Sequence, residues 1–137
     1  DLQEEPAAAS RWALLPVMID GIKENPVFGN GFGREITYIT SDPRIREATD
    51  GTGEYTTFAL EWGYLDIWLK MGLVGLGAII YLIWYFLALQ LKNMRQNSDN
   101  WYAFGMTISL IMLFSLHFFT PYLNHPIGVG YLVLGLL

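Results

Sequence analysis

Formal charge disappears from the chain between Lys70 and Lys92. The 21 residues from Met71 to Leu91, "MGLVGLGAIIYLIWYFLALQL", carry one Gln and no Asp, Glu, Lys or Arg. At helical rise they reach roughly 32 Å, enough to cross the hydrocarbon core of a bilayer. A second run, Trp101 to Phe119, has 19 residues, with His117 the only one that titrates near neutral pH. A third starts after Pro126 and continues to the end of the sequence. The pattern predicts two complete spanning helices and the start of a third. Trp62, Trp68, Trp84 and Tyr85 flank the first run, and Trp101 with Tyr102 opens the second, as interfacial aromatic belts do. A soluble domain would need two long helices apolar on nearly every face.

The first sixty residues read differently. In "SRWALLPVMIDGIKENP", Trp12, Leu15, Ile19 and Ile22 make a helical stripe. Ser10 is placed to cap its start and Asn25-Pro26 to end it. Pro16 predicts a kink or a later helix start. "VFGNGFGREITYIT" brings Gly29, Gly31 and Gly33 and then a short alternating run consistent with a strand; "SDPRIREATDGTGEY" reads as loop. The glycines lack a preceding strand and a Gly-Lys-Ser/Thr, so they predict a tight turn beneath a helix end, not a phosphate loop. The expected fold class is all-α, a fragment of a polytopic transmembrane helical bundle with an extracytoplasmic loop segment. Its expected parts are a periplasmic segment with short helices over 1–62, an interfacial segment plus span over 63–91 and a cytoplasmic loop over 92–100. A second span follows over 101–119, then an outer turn over 120–126 and the start of a truncated span over 127–137.

Composition sharpens this picture. Of 137 residues, 53% are hydrophobic and 15% aromatic, and mean hydropathy is +0.31, too apolar for an ordinary soluble domain. The net charge of -5 is uneven: residues 1–62 hold eleven of the thirteen acids and five of the eight bases. That balance argues against nucleic-acid binding, which needs a basic stripe. With no cysteine, disulfides, thiolate metal sites and Cys nucleophiles are excluded. There is no initiator Met and the last apolar run stops in mid-pattern, so the chain reads as a piece of a longer protein, inactive by itself. Lys92 and Arg95 lie in the loop between the spans, whereas "TPYLNHP" has neither Lys nor Arg. The positive-inside rule therefore puts 92–100 in the cytoplasm, and residues 1–62 with the 120–126 turn on the outer face of the cytoplasmic membrane.

"EWGYLDIWLKMGLVG" carries two acids, Glu61 and Asp66, to the edge of the first span. Asp66 lies five positions after Glu61, about 140° round a helix, so the two do not share a face. It lies four before Lys70, the favourable order for an ion pair. Taken with two other stretches, this one resembles a known family. "SRWALLPVMIDGIKENPVFGNGFG" resembles the Arg-Trp helix and "NP-hydrophobic-GxGxG" stretch of the O-antigen ligase and O-antigen polymerase superfamily. "EWGYLDIWLKMGLVGLG" resembles that family's signature before a transmembrane helix, and "TPYLNHPIGVGYLVLGLL" its last outer loop and following helix. The ligases carry a His eleven residues before Gly-x-x-Gly. Here Gly72-Leu-Val-Gly75 is preceded at that distance by Glu61.

The resemblance implies a multi-pass membrane glycosyltransferase of the inner membrane. Such an enzyme moves a glycan from an undecaprenyl-pyrophosphate carrier to a hydroxyl of a lipid or glycan acceptor, with membrane lipids around it and no nucleic-acid partner. A pyrophosphate donor needs cations where charge develops on the leaving group, and arginine's planar fork fits phosphate oxygens. Arg11, which matches the family's Arg and is expected at a helix N-terminus, is the first choice. Arg34 is next, then Arg44 and Arg46; solvated surface arginines are the plain alternative. Glu61 is the candidate general base, against a simple hydrated glutamate. His117 is placed to help bind donor phosphate, or else is a neutral His bonded to a neighbouring helix. Gly72, Gly75 and Gly77 suggest close helix packing. No cofactor or metal is expected, since two isolated histidines and the "DGTGE" stretch give no complete ligand set. Two non-enzymatic readings compete: a transporter or flippase-like protein for the same lipid-linked glycan, and a structural membrane anchor with an outer domain.

Overall fold

The computed structural model describes residues 6–96 and 100–134. The chain is mostly helical, with α1 (Pro6–Glu24), α2 (Pro43–Ala48), α3 (Gly63–Gln96), α4 (Trp101–His117) and α5 (Pro126–Leu134). A single 3₁₀ turn, Tyr122–Asn124, lies between α4 and α5. Two short strands add what the all-α expectation does not contain. β1 (Ile36–Ile39) and β2 (Glu54–Thr57) pair antiparallel, with Ile36 opposite Thr57 and Ile39 opposite Glu54. β1 is the alternating run after the glycines.

The stretch read as loop holds α2 and the start of β2. Asp42 caps α2, its carboxylate accepting the Arg44 amide at 3.0 Å, and Pro43 takes the first turn, where its missing N–H costs nothing. Hydrogen bonds from the Arg44 side chain and then its amide hold the Asp42 carboxyl below the usual carboxylate range.

α1 also departs from expectation in three ways. It runs unbroken through Pro16, which sits on its exposed face. Ser10 is inside the helix and caps nothing; its hydroxyl joins Tyr38 and Thr40, each at 3.0 Å. The buried face is Leu14, Met18, Gly21 and Ile22, whereas Trp12 and Ile19 are exposed. The helix is turned because its partners lie on that side. Leu14, Met18 and Ile22 pack with Ile36, Leu60, Trp62 and Leu69 in one core. Each such aliphatic side chain, fully buried, contributes about 1.5–3 kcal/mol.

Among the described residues one helix, α3, is long and apolar enough to cross a membrane; α4 is apolar but has 17 residues. Many large side chains of α3 after residue 72 and of α4 face outward, including Leu73, Val74, Ile80, Trp84, Ile108, Ile111 and Met112. A second core ties the two helices to the following turn through Phe86, Leu110, Phe114, Leu123 and Leu132. α3 continues through Lys92 to Gln96, so most of the expected 92–100 loop is helical.

α3 is broken at Gly72, whose φ of 69° and ψ of -169° are not helical. Breaking a helix orphans carbonyls before the break and amides after it. The glycine turn satisfies both sets. Leu73 N–H donates to the Pro26 carbonyl at 2.9 Å and Val74 N–H to that of Val27 at 3.2 Å. In return, Asn30 N–H donates to the Leu69 carbonyl at 2.8 Å and Gly31 N–H to that of Lys70 at 2.9 Å. Trp68 Nε1 adds a bond to the Pro26 carbonyl at 3.0 Å, and Asn30 Nδ2 one to the Gly21 carbonyl at 2.8 Å. Backbone meets backbone so closely that a Cβ on Gly29 would strike Lys70 and Gly72, and one on Gly72 would strike Val27 and Phe28. Gly72 therefore serves the break and not helix packing. Gly75 is covered by the Met71 side chain, and Gly77 faces open space.

These glycines define a prediction. Gly72→Ala and Gly29→Ala each combine a positive φ with a backbone overlap, so each destabilises by at least about 1–3 kcal/mol, the range for a strained left-handed residue. Gly77→Ala, helical with open space around it, should keep stability or raise it by up to about 1 kcal/mol. Apparent melting temperatures of the full-length protein in one detergent check this; equal values for Gly72→Ala and Gly77→Ala would refute the clip.

Candidate functional site

Arg11 and Glu61, fifty residues apart, meet directly. Arg11 Nε donates to Glu61 Oε2 at 2.5 Å, and both side chains are about half exposed, at 46% and 51%. Arg11 is not at a helix N-terminus, because Pro6 to Ser10 precede it within α1. It is fixed from α1 by the core beneath it. Glu61 is fixed by Leu60 and Trp62, buried on either side of it. The Trp62 indole closes the arrangement by donating to the Arg11 carbonyl at 3.1 Å. Aromatic rings pack round that indole: Trp12 at 5.6 Å, Phe118 at 5.7 Å and Phe119 at 6.0 Å between ring centroids. The ion pair thus lies exposed on a wall of aromatic side chains, two residues before the start of α3.

The other candidate residues stand apart from this pair. Arg34 bonds Glu24 at 2.8 Å and Arg44 bonds its neighbour Asp42 at 2.7 Å. Arg46 is exposed, with its aliphatic stem beneath Gly53. Among the described residues none of the three forms an ion pair or hydrogen bond with Arg11 or Glu61.

His117 lies behind the pair and is fully buried. Its Nδ1 accepts the Leu123 amide at 3.2 Å, so the ring proton belongs on Nε2. Nε2 makes no well-formed hydrogen bond. Tyr64 packs edge-on against the imidazole at 4.7 Å and donates its hydroxyl to the Phe114 carbonyl at 2.9 Å. Gly63 leaves the room this needs, since a Cβ there would strike the His117 ring and carbonyl. His117 therefore holds the turn after α4 against the start of α3.

A second ion pair sits one turn further along α3. Lys70 Nζ lies 2.6 Å from Asp66 Oδ1, and the two side chains are 10% and 2% exposed. Lys70 also donates to the Phe58 carbonyl at 3.0 Å, and Asn124 donates to Asp66 Oδ2 at 2.6 Å. The i, i+4 spacing announces the Lys70 pairing. Nothing local announces Asn124, 58 residues away, or the Trp62 bond to Arg11. Among the described residues no group of three or more His, Asp or Glu side chains is placed to hold a metal ion. Comparison of the chain with protein-family models, curated proteins and solved structures finds no match.

The two pairs should differ in how much a mutation costs. An exposed pair contributes about 0–1 kcal/mol. Removing one partner of a buried pair costs about 3–5 kcal/mol, because the other charge is left uncompensated. Asp66→Ala should therefore lower the melting temperature far more than Glu61→Ala. A Glu61→Ala loss as large as that of Asp66→Ala would mean the exposed pair is structural.

Proposed function

We propose that the chain is part of a multi-pass membrane glycosyltransferase of the O-antigen ligase and polymerase type, with residues 1–62 on the outer face of the cytoplasmic membrane. α3 and α4 are its two spans and α5 begins a third. What supports this reading is the Arg11–Glu61 pair: the cation that matches the family's Arg and the carboxylate that stands where the ligases carry a His are in contact, exposed, beside the entrance to α3.

The chemistry such a pair can perform follows from its weakness. An exposed carboxylate holds Arg11 by little free energy, so pyrophosphate, with more charge and a geometry suited to guanidinium, competes for it. Binding of the undecaprenyl-pyrophosphate glycan then moves Arg11 onto phosphate and releases Glu61. The acceptor oxygen forms its bond to the anomeric carbon as the bond from that carbon to the pyrophosphate oxygen breaks. The hydroxyl proton passes to Glu61, and the electron pair leaves with the carrier pyrophosphate, stabilised by Arg11. The exposed aromatic side chains Trp12, Phe118 and Phe119 offer flat apolar surface for the sugar faces.

The test is glycan transfer from a lipid-pyrophosphate donor by the full-length protein in membranes. Glu61→Gln should reduce turnover by about 10²–10⁴-fold, the usual contribution of a general base. Arg11→Ala should abolish it, and Arg11→Lys should recover part, since lysine supplies the charge without the fork. Wild-type protein that binds donor but never transfers glycan would favour a transporter of lipid-linked glycan instead.

A further inference from the structure

We propose that the tip of the glycine turn, Val27 and Phe28, is inserted in the lipid bilayer beside the first turn of the span. The inference rests on α3 crossing the membrane; it is independent of the transfer chemistry.

Depth is fixed by hydrogen bonds. The carbonyl of Pro26 accepts from Leu73 and that of Val27 from Val74, so the turn descends alongside α3 as its residue numbers rise. It then reverses through Gly29, and Asn30 and Gly31 bond back to Leu69 and Lys70. Val27 and Phe28 are therefore the lowest point of the turn, level with Leu73 and Val74. Those two residues belong to the uncharged apolar run, and their side chains are 49% and 59% exposed. Phe28 is 80% exposed and Val27 46%, so the tip extends the outward apolar surface of the span's first turn.

Lipid is the occupant that this geometry selects. An apolar side chain tied to the backbone of a span cannot stay in water unless the span's first turn does too. Irregular backbone near the bilayer needs its polar groups satisfied. The clip does this for the carbonyls and amides on both sides of the α3 break and, in the turn, for the Pro26 and Val27 carbonyls and the Gly29, Asn30 and Gly31 amides. The positive charge of Lys70 is turned away from lipid, paired with buried Asp66. Met71, Leu73 and Val74 are left as the outward groups of this level. No ionisable side chain lies between residues 25 and 33, so burying the tip in lipid moves no charge out of water.

The experiment places single cysteines in the full-length protein at Val27, Phe28, Ile80 and Glu35, each labelled with bimane. The variants are reconstituted in phosphatidylethanolamine–phosphatidylglycerol vesicles. Quenching is measured with phosphatidylcholine carrying a nitroxide high on its acyl chain, and with aqueous iodide. Labels at Val27 and Phe28 should lose fluorescence to the lipid nitroxide and resist iodide, with Glu35 showing the reverse. Both substituted side chains project from the surface, so neither variant opens a core, and agreement between them guards against one that misfolds. If the Phe28 label is quenched by iodide as strongly as Glu35 while Ile80 reports lipid, the turn lies in water and the proposal is wrong. Quenching by neither agent, with Ile80 again in lipid, means protein covers the tip and overturns it equally. Iodide quenching at Ile80 removes the span itself, and the proposal falls with it.

Discussion

The exchange of hydrogen bonds between a broken helix and a glycine turn holds this molecule together. A helix interrupted at Gly72 has carbonyls and amides that must find partners, and in an apolar setting each orphan costs several kcal/mol. The turn after α1 meets the need with two acceptors and two donors arranged in order along the break. Only residues without a Cβ allow the two backbones to approach this closely, which explains Gly29 opposite Gly72. Neither half is stable in that conformation without the other. The clip therefore determines how α1 stands against α3, and with it where the α1 side chains arrive.

Two ion pairs on the same stretch show how burial decides a charge's role. Asp66 and Lys70 are enclosed, bonded further to Asn124 and Phe58, and committed to holding three segments together. Arg11 and Glu61 are half in solvent, with no further side-chain partner among the described residues, and can separate at small cost. Chemistry at a membrane edge needs the second kind of pair. A cation that is to accept a phosphate must first be able to leave its carboxylate. On the proposed reading the buried Asp66 pair carries the scaffold, and the exposed Arg11–Glu61 pair is left free to exchange partners.

What could be read from the sequence divides along the same physical line. The apolar runs are local and strong, so the long helix α3 and the helical stretch from Trp101 are visible as composition alone. The i, i+4 order of Asp66 and Lys70 is equally local. The phase of α1 is not: Trp12 and Ile19 fit a stripe as well as Leu14 and Met18 do, and only Ile36, Leu60 and Leu69 across the core choose between them. Pro16 misleads because a helix packed along its length keeps going past one missing bond. The loop reading of 41–55 overlooks a capping signal that is present, Asp42 followed by Pro43. The glycines at 29 and 72 are each legible as turn or packing residues, and their contact across 43 positions is not. Long-range backbone complementarity leaves no periodic trace.

The placement of Arg11 against Glu61 is the point where these arguments meet. Arg11 is on α1 and Glu61 follows β2, and no local rule brings them within hydrogen-bonding reach. Three independent constraints do so: the Leu14, Met18 and Ile22 face in the core, the Trp62 indole on the Arg11 carbonyl, and the clip at the far end of α1. The first two set the height and rotation of Arg11, and the clip fixes the lever on which it rides. α1 extends from the clip to Arg11 over about four turns at 3.6 residues each, so a small tilt at Gly29 becomes a displacement of the guanidinium comparable with a hydrogen-bond length. A strained glycine contact at the start of the apolar run thus sets the precision of a charged pair at the other end of the helix, and the proposed site is only as well positioned as that contact is tight.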